Sequence, residues 1–415
     1  MGGLSPEVDP ADVGLDPARL MRIDRHFAKY VDDGRLAGWL VTVSRHGKLA
    51  YVSTYGQRDM EAGLPVTTDT IWRIYSMSKP ITSVAAMILY EEGAFQLTDP
   101  VRNFIPSFAD VRVFAGGSDI RPVTVPAAEP VRIWHLLTHT SGLTYGFHRS
   151  HPVDAMYRER GFEWGAPRKV DLASCCDIWA RLPLLFQPGD EWNYSVSTDV
   201  LGRVVEVASG MGLDEFLRAR IFGPLGMTET GFWLDEADHD RLAALYTLGL
   251  DRKAVRLDSM GGVAKGRPAF LSGGGGLVST AADYDRFMSM LLAVPGSPAG
   301  SLDGVDVLSA RTVRYMTRNH LPAGADLEAF GRPLFAETPF RGVGFGLGFA
   351  VVIDPAAGKI DGSVGESSWG GAASTAFFVD QATGLTASFF TQLLPSSAHP
   401  IRSQLRQMAY QAVMD

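Results

Sequence analysis

The chain has 415 residues, 46% hydrophobic and 20% charged, with 38 basic and 46 acidic side chains and a formal net charge of −8. That is apolar material for two or three compact units or one elaborated domain, with no compositional bias toward disorder. A mildly acidic chain offers no electrostatic footprint for nucleic acid or anionic membrane, and without a run of about 18 apolar residues no membrane span is expected.

The first 20 residues carry neither a basic n-region nor an apolar h-region, so no secretory signal is expected and a cytoplasmic location is. Asp16-Pro17 then opens a helix, a capping carboxylate ahead of proline at the first helical position. Leu20, Ile23, Phe27 and Tyr30 follow at helical spacing. Two apolar segments flanking His46-Gly47 predict a β-hairpin. From about Ile71 to Leu292 the pattern is mostly helical and loop-rich. Helices are predicted after Ser76, over Val131 to Leu137, over "STDVLGRVVEVAS" closed by Gly210, over "GLDEFLRARIFGPLGM", and after a glycine-rich loop with a cap near Thr280. The stretches 294–304 and 320–344, rich in Pro and Gly, predict surface loops. The end of the chain turns to strands, "GFGLGFAVVID", "STAFFVDQATG" and "LTASFFTQLLP", before a last helix, "IRSQLRQMAYQAVM".

Strands at both ends with helices between predict an α+β fold. A sheet unit would be built from 1–75 and 290–415, a mainly helical unit from 76–289, and the active site would lie in the cleft between them. The two cysteines, Cys175 and Cys176, are adjacent, which disfavours a relaxed disulfide and predicts a reducing compartment. Zinc or iron–sulfur ligation through cysteine is thereby excluded. His135 and His139 stand four apart without a zinc-protease pattern and read as packing and loop-capping residues. No metal or cofactor is expected.

Of seven lysines, only Lys79 has a serine three residues before it, Ser76. On a helix that spacing puts both on one face, and Pro80, tolerated only in a first turn, marks the helix start. The hydroxyl would then lie in the positive field of a helix N-terminus, with a lysine of lowered pKa as its base. Taken alone, the pair reads more readily as a cap and a solvated lysine. Tyr194, in "NYSVST", could present its hydroxyl in a cleft or pack its ring at the surface. Trp369-Gly370-Gly371-Ala372 leads into an apolar strand, where an edge could offer an N–H to an oxyanion, or could simply bulge. No G-x-S-x-G nucleophile elbow is present.

Together, Ser76-Met77-Ser78-Lys79, Tyr194-Ser195-Val196 and Trp369-Gly370-Gly371 resemble the serine β-lactamase and penicillin-binding-protein superfamily. They are most similar to its class C-related family VIII carboxylesterases. "HLLTHTSGL" and "GGGGLVSTAADYDRFM" extend the resemblance over nearly the whole chain. It implies a serine β-lactamase-like fold, a mainly antiparallel sheet flanked by terminal helices plus an inserted helical domain. It also implies a serine hydrolase acting on carboxylic esters. Ser76 would be the acylated nucleophile, Lys79 and Tyr194 a coupled base, and the N–H groups of Ser76 and Ala372 the oxyanion hole.

Two departures shape the expected substrate. Trp369 replaces the lysine of the lactamases' Lys-Thr/Ser-Gly, and Val196 replaces the asparagine of Tyr-x-Asn, so uncharged short- to medium-chain esters are favoured, with β-lactam hydrolysis a weak side activity. Trp369, Gly370, Gly371, Val196, Tyr145, Phe147 and Trp164 are the expected substrate-binding residues. His148, Tyr157 and Phe162 are further candidates for an apolar wall, in which burial is worth about 25 cal/mol per Å². The alternatives are a β-lactamase or D-aminoacyl peptidase, or an acyltransferase of the same fold. The expected partner is a small-molecule ester.

Overall fold

The computed structural model describes residues 4–167, 169–262, 264–332 and 340–414. Helix α1 (Pro17–Asp32) is capped by the Asp16 carboxylate, and Leu20, Ile23, Phe27 and Tyr30 all face inward, as their spacing predicts. Strands β1 (Gly38–Arg45) and β2 (Lys48–Asp59) form the expected hairpin about His46-Gly47, and a short β3 (Leu64–Pro65) follows. The C-terminal part supplies β4 (Val343–Phe345), β5 (Ala350–Val352), β6 (Ser367–Gly370), β7 (Ala376–Asp380) and β8 (Leu385–Phe390). They join in one antiparallel sheet of order β4-β5-β6-β7-β8-β1-β2-β3, so the two ends of the chain meet where β1 pairs β8.

Alternation along these strands separates two cores. Trp39, Val41, Val43, Phe378 and Phe389 pack with α1 and the last helix, Ile401–Tyr410. The alternate residues Leu40, Phe377, Val379 and Phe390 pack with the helices contributed by the middle of the chain. Both faces are covered, which is why the strands read as nearly continuous apolar runs. Strand β6 is flanked by β5 and β7, correcting the expected edge strand. Pairing with β5 stops at Ser368, however, so Trp369 and Gly370 run on beyond their neighbour.

Helix α2 is Ser78–Glu91, preceded by a single 3₁₀ turn, Tyr75–Met77. Ser76 therefore lies one turn ahead of the α-helix, while Lys79 and Pro80 occupy its first turn. Helix α3 (Ser197–Ser209) ends in a left-handed Gly210, and α4 (Ala281–Leu291) is capped by Thr280, both as predicted. The helix predicted over 131–137 is Ile133–Leu137. The run after Gly212 breaks into Leu213–Leu217, a π-turn and Gly223–Leu225, because Pro224 has no N–H to continue the ladder. Residues 112–117 and 122–126, within the stretch expected to be mostly helical and loop-rich, pair as a hairpin. The stretch 294–304 contains the start of another, small hairpin, Ser301–Leu302 with Val305–Asp306, and part of 320–344 lies outside the described residues. No helix among the described residues is long and apolar enough to cross a membrane.

Candidate active site

Tyr75 turns the chain out of the short strand Ile71–Arg73 with φ of +44°, a left-handed conformation that is costly for a non-glycine residue and is held by its surroundings. That turn puts Ser76 on the wall of a cavity of about 360 Å³. Lys79, 2% exposed, places its Nζ 3.3 Å from Ser76 Oγ and donates to the Gly274 carbonyl at 2.6 Å. The same Nζ lies 4.5 Å from the Tyr194 ring centroid and 5.4 Å from that of Tyr145. Burial lowers the Lys79 pKa from 10.5 to about 7, against the opposing pull of the Asp199 carboxylate. A lysine half-neutral near pH 7 and within reach of a serine hydroxyl can act as a general base.

The segment around His139 holds Tyr194 in place. Ser141, Ser197 and Ser195 form a chain of hydroxyls at 2.7 Å per link, and Ser195 Oγ meets His139 Nδ1 at 3.2 Å. His148 Nε2 donates to the Tyr194 carbonyl at 2.7 Å. His139 is held well below its ordinary pKa, by burial first and then by Lys79, and so stays neutral. His135 Nδ1 accepts from the Arg132 N–H at 3.1 Å. Both histidines thus have the structural roles expected of them, and no group of three or more potential metal ligands occurs among the described residues.

The other wall is the end of β6. Trp369, Gly370 and Ala372 line the cavity, with the Trp369 ring 5.4 Å from that of Tyr194. Gly371 is not on the wall. It is where the strand end crosses the Tyr75–Met77 turn that carries Ser76, so closely that a Cβ there would fall 2.4 Å from the Ile74 carbonyl oxygen. Arg402 Nη2 donates to the carbonyls of Gly371 at 2.9 Å and Thr375 at 3.1 Å, bracing the turn that carries Ala372.

Val196, Tyr145, Phe147 and Trp164, expected to bind substrate, line the cavity, and so does Phe162. Tyr145, Phe147 and Trp164 form a stack, with centroids 4.7 and 5.0 Å apart and planes within 20° and 12°. Tyr157 packs into the core instead, because helix Pro152–Glu159 turns it inward. The sequence reading missed Asp199, Phe232, Phe270, Phe340 and the 272–276 loop, all of which contribute to the lining. Asp199 left one trace, an acidic residue beside Val200 and Leu201 on a helix face that packs inward. The rest come together only through the tertiary fold.

A family model described as Beta-lactamase matches residues 23–410. The esterase EstB of Burkholderia gladioli is 32% identical, over 97% of this chain and 98% of its own. An uncharacterized protein of Mycobacterium tuberculosis is 38% identical over 88% of each chain. Among solved structures, EstCE1, a hydrolase with promiscuous acyltransferase activity, superposes with a TM-score of 0.77 at 26% identity, covering 95% of this chain and 99% of that one. A family model spanning nearly the whole chain, and a relative aligned from end to end, make this chain a member of the beta-lactamase family.

Proposed function

We propose that this protein is a hydrolase or acyltransferase and, more finely, a serine carboxylesterase acting on uncharged short- to medium-chain esters. The observation that carries this reading is the buried Lys79 amine, 3.3 Å from Ser76 Oγ in an apolar cavity. Ser76 Oγ attacks the ester carbonyl carbon while its proton passes to the neutral Lys79 amine. The negative charge that develops on the carbonyl oxygen is held by the N–H groups of Ser76 and Ala372, an interaction worth about 3 kcal/mol per donor. As the C–O bond to the alcohol breaks, Tyr194, next to the Lys79 ammonium, relays the proton to the leaving oxygen. Water then attacks the acyl-Ser76 carbonyl, the same pair takes its proton, and Ser76 regains its hydrogen as the acid leaves.

The neutral Trp369 and Val196 support an uncharged substrate, since Trp369 carries no positive charge to pair a carboxylate and Val196 has no polar atom to hydrogen-bond an amide side chain. The esterase EstB supports the same chemistry by relationship. Cys175 and Cys176 are buried and unpaired, which supports a cytoplasmic location. The test is turnover of p-nitrophenyl butyrate and of a chromogenic cephalosporin by wild type and Ser76→Ala. Ester turnover that vanishes in the variant is expected, and a cephalosporin rate above the ester rate would refute the esterase assignment.

Acyl transfer is a second reading, favoured by the mostly apolar, aromatic-rich lining, which offers little to hold a hydrolytic water. The promiscuous acyltransferase activity of EstCE1 points the same way. Added 1-butanol should then raise the rate of p-nitrophenol release and yield butyl butyrate. An unchanged rate with butyrate as the sole product excludes transfer.

A further inference from the structure

Asp199 has no step in the reaction above, yet it lies 3% exposed on the cavity wall, in the first turn of α3. Its Oδ1 accepts from the Gly274 N–H at 2.9 Å and from the Ser272 hydroxyl at 2.5 Å. The carbonyl of the same Gly274 accepts from Lys79 Nζ at 2.6 Å. Residue 274 thus faces the carboxylate with its N–H and the amine with its C=O. Only glycine fits there, because a Cβ would fall 2.5 Å from Asp199 Oδ2. A buried carboxylate is costly unless it is paired, and a position between apolar helix residues could hold a valine without that cost.

We propose that Asp199 is a positioning residue that aims Lys79 at Ser76 through Gly274 and whose negative charge sets the pH at which Lys79 becomes a free base. This rests on Lys79 being the base for Ser76. The other titratable groups around the pair are Tyr75 beside the nucleophile, His139, Tyr145 and His148 from the preceding loop, Tyr194, and Cys175 and Cys176 on helix Leu172–Ala180. Burial holds both histidines below their ordinary range and Tyr75, Tyr145 and both thiols above theirs, which keeps these groups uncharged near pH 7. Burial raises the Asp199 carboxyl as well, opposed by Lys79, the Ser272 hydroxyl and the Gly274 N–H, which favour its charged form; that carboxylate is the anion that acts on Lys79. An opposite charge favours the ammonium, so removing it makes Lys79 lose its proton at lower pH.

The test compares wild type, Asp199→Asn and Asp199→Ala in two assays across pH 5–9: kcat/KM for p-nitrophenyl butyrate, and the rate at which a fluorophosphonate labels Ser76. Asparagine keeps an acceptor for Gly274 and Ser272 but removes the charge. Its acid limb should move to lower pH by on the order of one unit in both assays. Alanine should show that shift and also lose plateau kcat, as Lys79 loses its aim. Ser272→Ala, which takes a hydrogen bond from the carboxylate without removing its charge or touching α3, should move the acid limb the opposite way, to higher pH, and serves if the Asp199 variants do not fold. A folded Asp199→Asn whose acid limb coincides with that of wild type in both assays overturns the proposal, even if its rate is lower. Labelling and turnover that survive Ser76→Ala would instead overturn the reading of Ser76 as nucleophile with Lys79 as its base, so the two failures are distinguishable.

Discussion

Replacing Lys79 by methionine should abolish turnover and stabilise the fold below pH 7. A fall in the Lys79 pKa from 10.5 to about 7 corresponds to about 5 kcal/mol of burial penalty at about 1.36 kcal/mol per unit. Methionine, of similar length and uncharged, removes that penalty. It also leaves the Gly274 carbonyl without its 2.6 Å partner and Asp199 without its counter-charge, which takes back about 3 kcal/mol. The net gain at pH 6 is about 2 kcal/mol, a rise in Tm of roughly 2–4 °C in a chain of this size. The sign of its pH dependence is fixed. Below about pH 7 the lysine is charged in both folded and unfolded states, so the penalty is complete. Between about 7 and 10.5 the folded lysine is neutral while the unfolded one still binds a proton, so wild-type stability climbs with pH. The lead of Lys79→Met should therefore narrow across that window. Thermal unfolding of both proteins from pH 6 to 10 measures it, and a difference in Tm that stays constant over this range would refute the assignment of Lys79 as a buried amine of low pKa.

Other perturbations test the remaining parts of the site. Ser76→Ala should lower ester kcat by at least about a thousandfold while circular dichroism and Tm stay unchanged. Gly371→Ala puts a methyl 2.4 Å from the Ile74 carbonyl; it should push Ala372 out of place and cost about a hundredfold in kcat with a smaller change in KM. Trp369→Lys should raise kcat/KM for carboxylate-bearing esters about tenfold relative to neutral ones, measured with matched succinate and butyrate esters. Phe147→Ala, which opens the stacked aromatic wall, should shift the preferred acyl chain length; an unchanged profile over C2–C10 esters would remove that wall from substrate selection.

The parts of the site legible in the sequence were those encoded locally. Ser76 and Lys79 are one turn apart, Pro80 marks the turn, and Tyr194 precedes a helix whose closing Gly210 is equally plain. Hairpin β1–β2 and α1 follow from local pattern in the same way. What escaped depends on distant segments meeting. Strand β6 looked like an edge because its sequence does not reveal that β5 stops alongside Ser368. Tyr157 and Trp164 looked alike as aromatic loop residues, yet one is 1% and the other 58% exposed, a difference set by how Pro152–Glu159 docks. Asp199 escapes a local reading because the partners that make a carboxylate tolerable there come from residues 272–274, more than 70 positions away.

The meeting of β1 with β8 also bears on how the protein is made. Leu40 waits for Phe390, 350 residues later, before its side of the central sheet is complete. The turn that carries Ser76 leaves the ribosome early, whereas Ala372 and the arginine that braces its turn arrive near the end. Closing so long a loop is slow, and partly made chains expose half a sheet to other chains. A chain released before about residue 402 lacks that brace, so premature termination should give aggregation-prone, inactive product. Hydrolase or acyltransferase activity should thus appear only once synthesis is nearly finished, and a ribosome-stalled series of lengths would register it as a step.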